Sequence, residues 1–160
     1  AMGTKSYFYR EKELGDGQGI FVNDSFKAEV NGEDEAYKVI ESELGIKVLK
    51  LGYIPPDMDF LGLYIENGIA YMKFHLDGEN IFLIQSKYDK RVSFKYEGDY
   101  QSVQKVKNKW LSKELEIYQE ELSSGKLRYE TSMVLDGTYY RLSGAIQIDE
   151  FTQIIERLIY

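Results

Sequence analysis

The sequence predicts an α+β fold, in which an antiparallel sheet of hairpins packs against one helix near the N-terminus and another at the C-terminus. Fourteen tyrosines and eight phenylalanines suit the half-buried surface of a pleated sheet. Turn-forming dipeptides lie between apolar runs at three places, Asn67-Gly68, Asp77-Gly78 and Asp136-Gly137. Because these dipeptides tolerate the positive φ angles of type I′ turns, they indicate two-residue hairpins and hence antiparallel pairing.

The first helix is predicted from Asn31 onward. Asn31 can cap the helix, the acidic residues Glu33 to Glu35 favour its first turn, and Gly45 follows its last turn. Four apolar residues recur at helical spacing and share one face: Ala36, Tyr37, Ile40 and Leu44. This face is expected to pack on the sheet.

A three-stranded meander is predicted around the first two turn signals, with strands at Leu61 to Ile65, Ile69 to Leu76 and Ile81 to Gln85. In the middle strand the side chains alternate between two faces. One face carries Ala70, Met72, Phe74 and Leu76, and the other carries Tyr71, Lys73 and His75. We expect the first face to be core and the second face to be wetter.

The second half of the chain is expected to add further strands and the C-terminal helix. Alternation predicts strands at three places: Val92, Phe94 and Tyr96; Leu115 and Ile117; and Leu127, Tyr129, Thr131 and Met133. The segment Gln101 to Leu122 also has helical composition, although a strand is favoured for Glu114 to Glu121. Asp149 can cap a helix that runs to Leu158, with one face made of Phe151, Ile154, Ile155 and Leu158.

The chain is expected to divide at residue 30. Its first four residues, "AMGT", look like a cloning scar, so the chain is expected to be an excised soluble piece of a longer protein. Lys5 to Lys27 is polar and glycine-spaced, and one strand is predicted there at Gly19 to Val22. Residues 31–160 are predicted to form a single α+β domain, because no repeat, linker or low-complexity block divides them.

The only two prolines, Pro55 and Pro56, stand side by side ahead of the meander. Proline cannot donate to a sheet ladder and holds the preceding residue extended, so the pair predicts a rigid elbow between two strands. Exposed aromatics beside a stiff loop can bind a partner at little ordering cost. The candidate groove for a ligand or partner consists of Tyr53, Pro55, Met58, Phe60 and Tyr64. The alternative is that these side chains simply cap the core.

Side chains that carry common catalytic or metal chemistry are scarce. The chain has no cysteine and a single histidine, His75, which excludes disulfides and thiolate zinc sites. Asp57 and Asp59 resemble an acid/base pair, but beside two prolines they are better explained as turn residues. The glycine-rich Gly15 to Gly19 lacks the lysine and hydroxyl residue of a phosphate-binding loop. The sequence therefore predicts no catalytic residue, no metal, no cofactor and no enzymatic activity.

Basic residues are concentrated in one segment of an acidic chain. The formal net charge is −7, yet eight basic and only three acidic residues lie between Lys87 and Lys113. Close to the single tryptophan, Trp110, the candidate contact for an anionic surface consists of Lys105, Lys107, Lys109 and Lys113. Anionic lipid headgroups or a wall polymer fit such a patch, whereas the negative overall charge disfavours nucleic acid. The alternative is an ordinary solvated face.

Two stretches carry a resemblance to a known family. "LGYIPPDMDFLGLYIENGIAYMKFHLDGENIFLIQSK" and "LDGTYYRLSGAIQIDEFTQIIERLI" resemble the DUF4367 family of bacterial extracytoplasmic domains, and the likeness covers Glu33 to Tyr160. The resemblance implies a single curved antiparallel sheet with helices against it, related in shape to lipoprotein-carrier proteins, and no catalytic residues. The chain departs from the family at Met133 to Leu135, where a tryptophan is often found.

Two functions of different classes follow from this resemblance and from the missing chemistry. The first is a non-enzymatic extracytoplasmic sensor or interaction domain of a membrane-anchored, anti-sigma-factor-like regulatory protein of a Gram-positive bacterium. It would bind a protein partner, an envelope component or a small ligand. The second is a carrier-like module for a lipid or lipoprotein chain. A carrier needs an open apolar cavity of several hundred Å³, whereas a sensor can have a filled core.

Overall fold

A computed structural model describes residues 30–87 and 101–160, together with the backbone of three short strands at 9–11, 20–22 and 27–28. The described elements are, in chain order, β1 (Tyr9–Glu11), β2 (Ile20–Val22), β3 (Lys27–Ala28), α1 (Glu33–Leu44), β4 (Lys50–Leu51), β5 (Asp59–Glu66), β6 (Ile69–Leu76), β7 (Glu79–Lys87), β8 (Gln101–Asn108), β9 (Lys113–Glu121), β10 (Leu127–Leu135), β11 (Thr138–Gly144), α2 (Ile148–Glu156) and β12 (Leu158–Ile159).

Eight of these strands form one antiparallel sheet in the order β3-β5-β6-β7-β11-β10-β9-β8. Strands β5 to β7 run as a meander, and β8 to β11 return from the far edge of the sheet until β11 lies beside β7. Two small sheets, β1-β2 and β4-β12, accompany it. Helix α1 contacts β5 and β6, and α2 contacts β8. The predicted α+β class, with an antiparallel sheet and two helices, is therefore confirmed.

The three predicted hairpin turns are present, and all have the backbone that their dipeptides favour. Asn67, Asp77 and Asp136 have φ angles of 53°, 53° and 50°, and the glycines that follow have 77°, 80° and 75°. Positive φ at both central residues matches the right-handed twist of the flanking strands. The meander strands are confirmed at these turns and run longer than predicted, because β5 and β7 extend beyond the apolar residues.

The first helix is confirmed, but the predicted cap is wrong. It begins at Glu33 rather than Asn31, its N-cap is Gly32, and no side chain caps it. The Gly32 carbonyl accepts a hydrogen bond from Ala36 N at 3.1 Å, so the backbone alone starts the first turn. Gly45 ends the helix in the left-handed conformation, as its position predicts. The four residues of the predicted apolar face are buried.

The C-terminal helix is also confirmed with shifted bounds. It spans Ile148–Glu156, its N-cap is the extended Gln147, and Asp149 lies in the first turn without capping it. Leu158 is buried as expected but belongs to β12, because the helix ends at Glu156 and the chain then pairs with β4. Phe151 lies against Tyr129 of the sheet, with ring centroids 5.9 Å apart.

The segment of ambiguous composition is a strand, since β9 spans Lys113–Glu121 and pairs with both β8 and β10. The predicted strand at Gly19 to Val22 corresponds to β2. Two other sequence features, the alternation at Val92, Phe94 and Tyr96 and the glycine-rich Gly15 to Gly19, lie outside the described residues. The division of the chain at residue 30 stays a prediction.

The expectation of a wetter second face in β6 holds for Lys73 and His75, which are only half-buried, but is wrong for Tyr71. The four apolar residues of β6 lie in the main core beneath the helices, as predicted. Tyr71 on the opposite face is only 3% exposed, because the register places it between Tyr64 of β5 and Ile84 of β7. These residues and Phe82 form a second apolar cluster.

A buried amide joins the sheet to the segment that follows α1. Gln85 on β7 is fully buried, and its side chain accepts a hydrogen bond from Leu49 N at 2.8 Å and donates one to Leu49 O at 2.9 Å. The carboxamide thus satisfies both backbone groups of a buried residue, as a neighbouring strand would.

We expect Gln85→Met to lower the free energy of unfolding by about 2–4 kcal/mol, because it leaves the N–H and C=O of Leu49 without these partners inside the core. Gln153→Met, at an exposed position of α2, is the matched control and should change the free energy by less than about 0.5 kcal/mol. Urea unfolding measures both. Equal effects of the two substitutions would contradict a structural role for Gln85.

We also expect the protein to lose stability at high pH. Burial raises the pKa of Tyr139 to about 12, so its phenol keeps its proton in the folded state at a pH where the unfolded chain has lost it. The resulting stabilisation is complete below about pH 10 and is lost as the pH rises toward about 12. Tyr139→Phe should therefore flatten the fall in unfolding free energy between about pH 9.5 and 11. An unchanged slope would contradict the assignment.

Candidate functional site

Trp110 stands in the turn between β8 and β9 and is 60% exposed. An exposed indole is unusual in a chain whose other described aromatic side chains are buried or half-buried. The turn that carries it is basic, and Lys109 Nζ lies 5.3 Å from the centroid of the indole ring. A cation at this distance interacts favourably with the aromatic face.

Asn108 fixes this turn in place. Its side chain is 1% exposed and donates hydrogen bonds to Ile155 O at 2.8 Å and Leu158 O at 2.9 Å, at the end of α2 and the start of β12. Its Oδ1 accepts a third hydrogen bond from Leu111 N at 2.9 Å. One buried carboxamide therefore satisfies carbonyls at a helix C-terminus and an amide of the Trp110 turn, which holds the two segments together.

The third part of the site is the segment after β4. Gly52 N donates a hydrogen bond to Arg157 O at 2.8 Å, and a Cβ at residue 52 would lie only 2.4 Å from that oxygen. Only glycine permits this close approach. The Arg157 side chain lies over the ring of Tyr53, with Cζ 5.6 Å from the centroid.

Two hollows flank Trp110, and together we call them the Trp110 cleft. The larger has a volume of about 610 Å³ and is lined by Lys107, Asn108, Lys109, Trp110, Ser112, Lys113, Glu114, Glu156 and Arg157. The smaller has a volume of about 440 Å³ and is lined by Gly52, Lys109, Trp110, Arg157 and Ile159. Lys109, Trp110 and Arg157 belong to both, so the hollows adjoin at the indole. Their volumes fall in the range of small-molecule sites.

Three of the four predicted contact lysines meet at this cleft. Lys107, Lys109 and Lys113 line the larger hollow. Lys105 lies farther along β8, opposite Glu116 of β9. Hydrogen bonds from Ser102 and Tyr118 to the Glu116 carboxylate, with a smaller contribution from Lys105, hold the pKa of Glu116 below its ordinary value.

The five residues of the predicted groove do not lie together on one exposed surface. Pro55 and Met58 are buried, and Met58 N donates to Pro55 O at 3.0 Å, which closes the turn after the prolines. Phe60 packs edge-on against Phe74 of the core, with centroids 5.5 Å apart. Tyr64 belongs to the cluster on the opposite face of the sheet, because the β-bulge between Phe60 and Gly62 reverses the alternation of side chains along β5. Tyr53 is half-buried against the core and lies beneath the side chain of Arg157, which lines the Trp110 cleft.

Other polar groups that the sequence singled out have local structural partners or lie exposed. His75 Nδ1 lies 3.2 Å from Asn80 Oδ1 across the β6–β7 turn, and Asp57 and Asp59 are exposed. Burial raises the pKa of Tyr37, whose hydroxyl donates to Glu33 and accepts from Leu51 N. Within residues 30–87 and 101–160 there is no group of three or more histidine or acidic residues that could hold a metal. Neither described helix has the length and apolar character that crossing a membrane requires.

Sequence reasoning identified the lysines and Trp110 but missed Asn108, Arg157, Glu156 and Gly52. Arg157 sits at the end of the α2 pattern, where a basic residue is ordinary, and Gly52 stands in an unremarkable pair with Leu51. The sequence gives one weak indication of Asn108. It is a polar residue at an inward-facing position of a strand whose nearest outward-facing positions are lysines. Its two carbonyl partners are 47 and 50 residues away.

We expect Asn108→Ala to lower the free energy of unfolding by about 2–3 kcal/mol, because it removes three buried hydrogen bonds. It should also lower the fluorescence anisotropy of Trp110, because the turn loses its anchor to α2. Asn80→Ala, which removes only the contact with His75, is the control and should leave the anisotropy unchanged. If anisotropy does not differ between the two variants, Asn108 does not position the tryptophan.

No protein-family model matches this chain, and comparisons with curated proteins and with solved structures likewise give no match.

Proposed function

We propose that this chain is a non-enzymatic extracytoplasmic sensor or interaction domain of a membrane-anchored bacterial regulatory protein, and that its Trp110 cleft binds an anionic component of the cell envelope. One observation carries the binding site. A solvent-exposed indole is held between two hollows whose walls contain four cationic side chains, Lys107, Lys109, Lys113 and Arg157.

The cleft is suited to binding because its backbone is already ordered. The Asn108 hydrogen bonds and the close contact of Gly52 with the Arg157 carbonyl fix three separate segments. A site fixed in this way loses little conformational freedom when a ligand enters. The cations attract an anion locally, while the net charge of −7 opposes the long-range attraction that nucleic-acid binding uses.

The cellular setting is proposed from the resemblance of Glu33 to Tyr160 to the DUF4367 family. Members of that family stand outside the membrane helix of anti-sigma-factor-like and other membrane-anchored proteins of Gram-positive bacteria. A chain without cysteine is compatible with this setting. The resemblance also implies that the sheet is curved, as in lipoprotein-carrier proteins.

Nothing in the residues that the structure describes favours the carrier function. The two hollows of the Trp110 cleft are open and carry charged side chains on their walls, and so does a hollow of about 430 Å³ beside α1. A further hollow against the core, beside Leu49, Met133 and Leu158, leaves no space for a water molecule. A lipid chain would need a continuous apolar cavity.

The proposal is tested with vesicles that contain phosphatidylglycerol in phosphatidylcholine and with a polyglycerol-phosphate wall polymer. The protein should bind at least one of them, and affinity should fall as salt rises from about 0.05 M to about 0.5 M, because screening shortens the Debye length. The variant with Lys107, Lys109 and Lys113 changed to glutamine should bind at least about tenfold more weakly. Each lysine near an anionic surface contributes about 1 kcal/mol to the free energy of binding.

The control variant carries the same charge change elsewhere, with Lys38, Lys50 and Lys126 changed to glutamine. It should bind within about twofold of the unchanged protein, because its lysines lie outside the cleft. Binding of neither material, or equal loss in both triple variants, would contradict the proposed function.

A further inference from the structure

The two hollows of the Trp110 cleft differ in the kinds of charged groups on their walls. The smaller hollow has two cations, Lys109 and Arg157, and no carboxylate on its walls. The larger hollow adds two more lysines but also two carboxylates, Glu114 and Glu156, and the neutral polar residues Asn108 and Ser112. One hollow is therefore suited to an anionic group, and the other to groups that both donate and accept hydrogen bonds.

We infer that the anionic component bound by the Trp110 cleft is an acidic glycan, whose sugar ring packs on Trp110 while its carboxylate or phosphate occupies the smaller hollow between Lys109 and Arg157. The hydroxyls of the neighbouring unit lie in the larger hollow. This inference rests on the proposed function and names the substrate class of the same site.

The side chain of Arg157 is already oriented for binding an acidic group. Its backbone carbonyl is fixed by Gly52 N, and its guanidinium lies over the ring of Tyr53. A planar guanidinium that is already oriented can bind a carboxylate or phosphate through two parallel hydrogen bonds. Lys109 supplies a second positive charge from the other wall of the same hollow.

Trp110 is placed to receive the ring. It belongs to the walls of both hollows and is largely exposed, so a ligand that spans them must cross the indole. The C–H face of a sugar ring can pack on the electron-rich face of an indole. Because the two hollows adjoin there, an extended ligand with repeated units fits better than a single small anion.

The carboxylates of the larger hollow favour a glycan over an anionic bilayer. Glu114 and Glu156 would repel the phosphates of a lipid surface pressed against the cleft, but both can accept hydrogen bonds from sugar hydroxyls. A bilayer also favours several apolar side chains that reach into its interface. Of the large apolar side chains that are exposed in the described residues, only Trp110 lines the cleft.

The experiment uses the unmodified chain and two acidic probes, a galacturonate tetramer and a phosphorylated gluco-oligosaccharide. Each has an uncharged counterpart of the same length, the methyl ester and the dephosphorylated sugar. Trp110 is the only tryptophan in the sequence, so its fluorescence reports on the cleft directly, and calorimetry gives the affinity of variants that lack it. We expect one acidic probe to bind, to shift the Trp110 emission and to bind at least about tenfold more tightly than its counterpart.

Substitutions separate the two contacts. Trp110→Ala and Arg157→Gln should each weaken binding of the acidic probe by about tenfold or more, because one removes the packing surface and the other the anion partner. Trp110→Phe should retain a good part of the affinity. Lys38→Gln is the control and should bind within about twofold of the unchanged protein. Circular dichroism confirms that each variant is folded.

Three results would overturn the inference. If the uncharged counterparts bind as tightly as the acidic probes, the smaller hollow is not an anion site. If inorganic phosphate alone competes at the same concentration as the oligosaccharide, the indole contributes nothing. If vesicles bind and both acidic sugars fail, the glycan assignment is wrong while the proposed envelope function stands. Failure of sugars, polymer and vesicles together would contradict both.

Discussion

The buried carboxamide of Asn108 is the interaction on which the candidate site depends. It donates hydrogen bonds to the last turn of α2 and to the first residue of β12, and it accepts one from the turn that carries Trp110. Gln85 has a comparable role on β7, where its side chain takes the place of a neighbouring strand beside Leu49. In both places the apolar core tolerates a polar side chain because its amide group and the neighbouring backbone groups are hydrogen-bonded to each other.

The class of fold and most of its elements could be predicted from local patterns. The three Asn-Gly and Asp-Gly turns and the two apolar helix faces depend on short-range chemistry, so the sequence shows them directly. The helix starts were misplaced because Asn31 and Asp149 have suitable side chains that the backbone does not use. Tyr71 was expected in a wetter setting because burial on the second face depends on residues from two neighbouring strands.

The cleft was only half predictable for a similar reason. A run of lysines around a tryptophan is visible in one segment of the sequence. Arg157 is brought beside this segment by hydrogen bonds between residues about 50 positions apart, such as Asn108 and Leu158. The residues of the predicted groove do not lie together for the opposite reason, since Phe60 and Tyr64 are close in sequence but lie on opposite faces of the sheet. Simple alternation would place these two residues, four positions apart, on one face, but the β-bulge between Phe60 and Gly62 moves them to opposite faces.

Charged side chains have different roles in strands β9 to β11, which lie inside the sheet, and in β8, which lies at its border. Across β9, β10 and β11, Arg128 pairs with Glu120, and Arg141 pairs with Glu130 at 2.6 Å. Glu130 is 1% exposed, so its charge is costly to bury and must meet its partner. A slip of one residue would separate these ions, which makes the pairs a constraint on strand register. The lysines of β8 and its turn are exposed instead.

Among the described strands, β8 borders the sheet, and its irregularity between Ser102 and Gln104 interrupts the ladder near one end. A lysine-bearing border strand with a bulge is a poor template for the β8 of a second copy, since the two strands would meet with a mismatch in spacing and with like charge. The positive charge beside Trp110 therefore also protects the protein from edge-to-edge aggregation. Removing these lysines to obtain crystals would put that protection at risk.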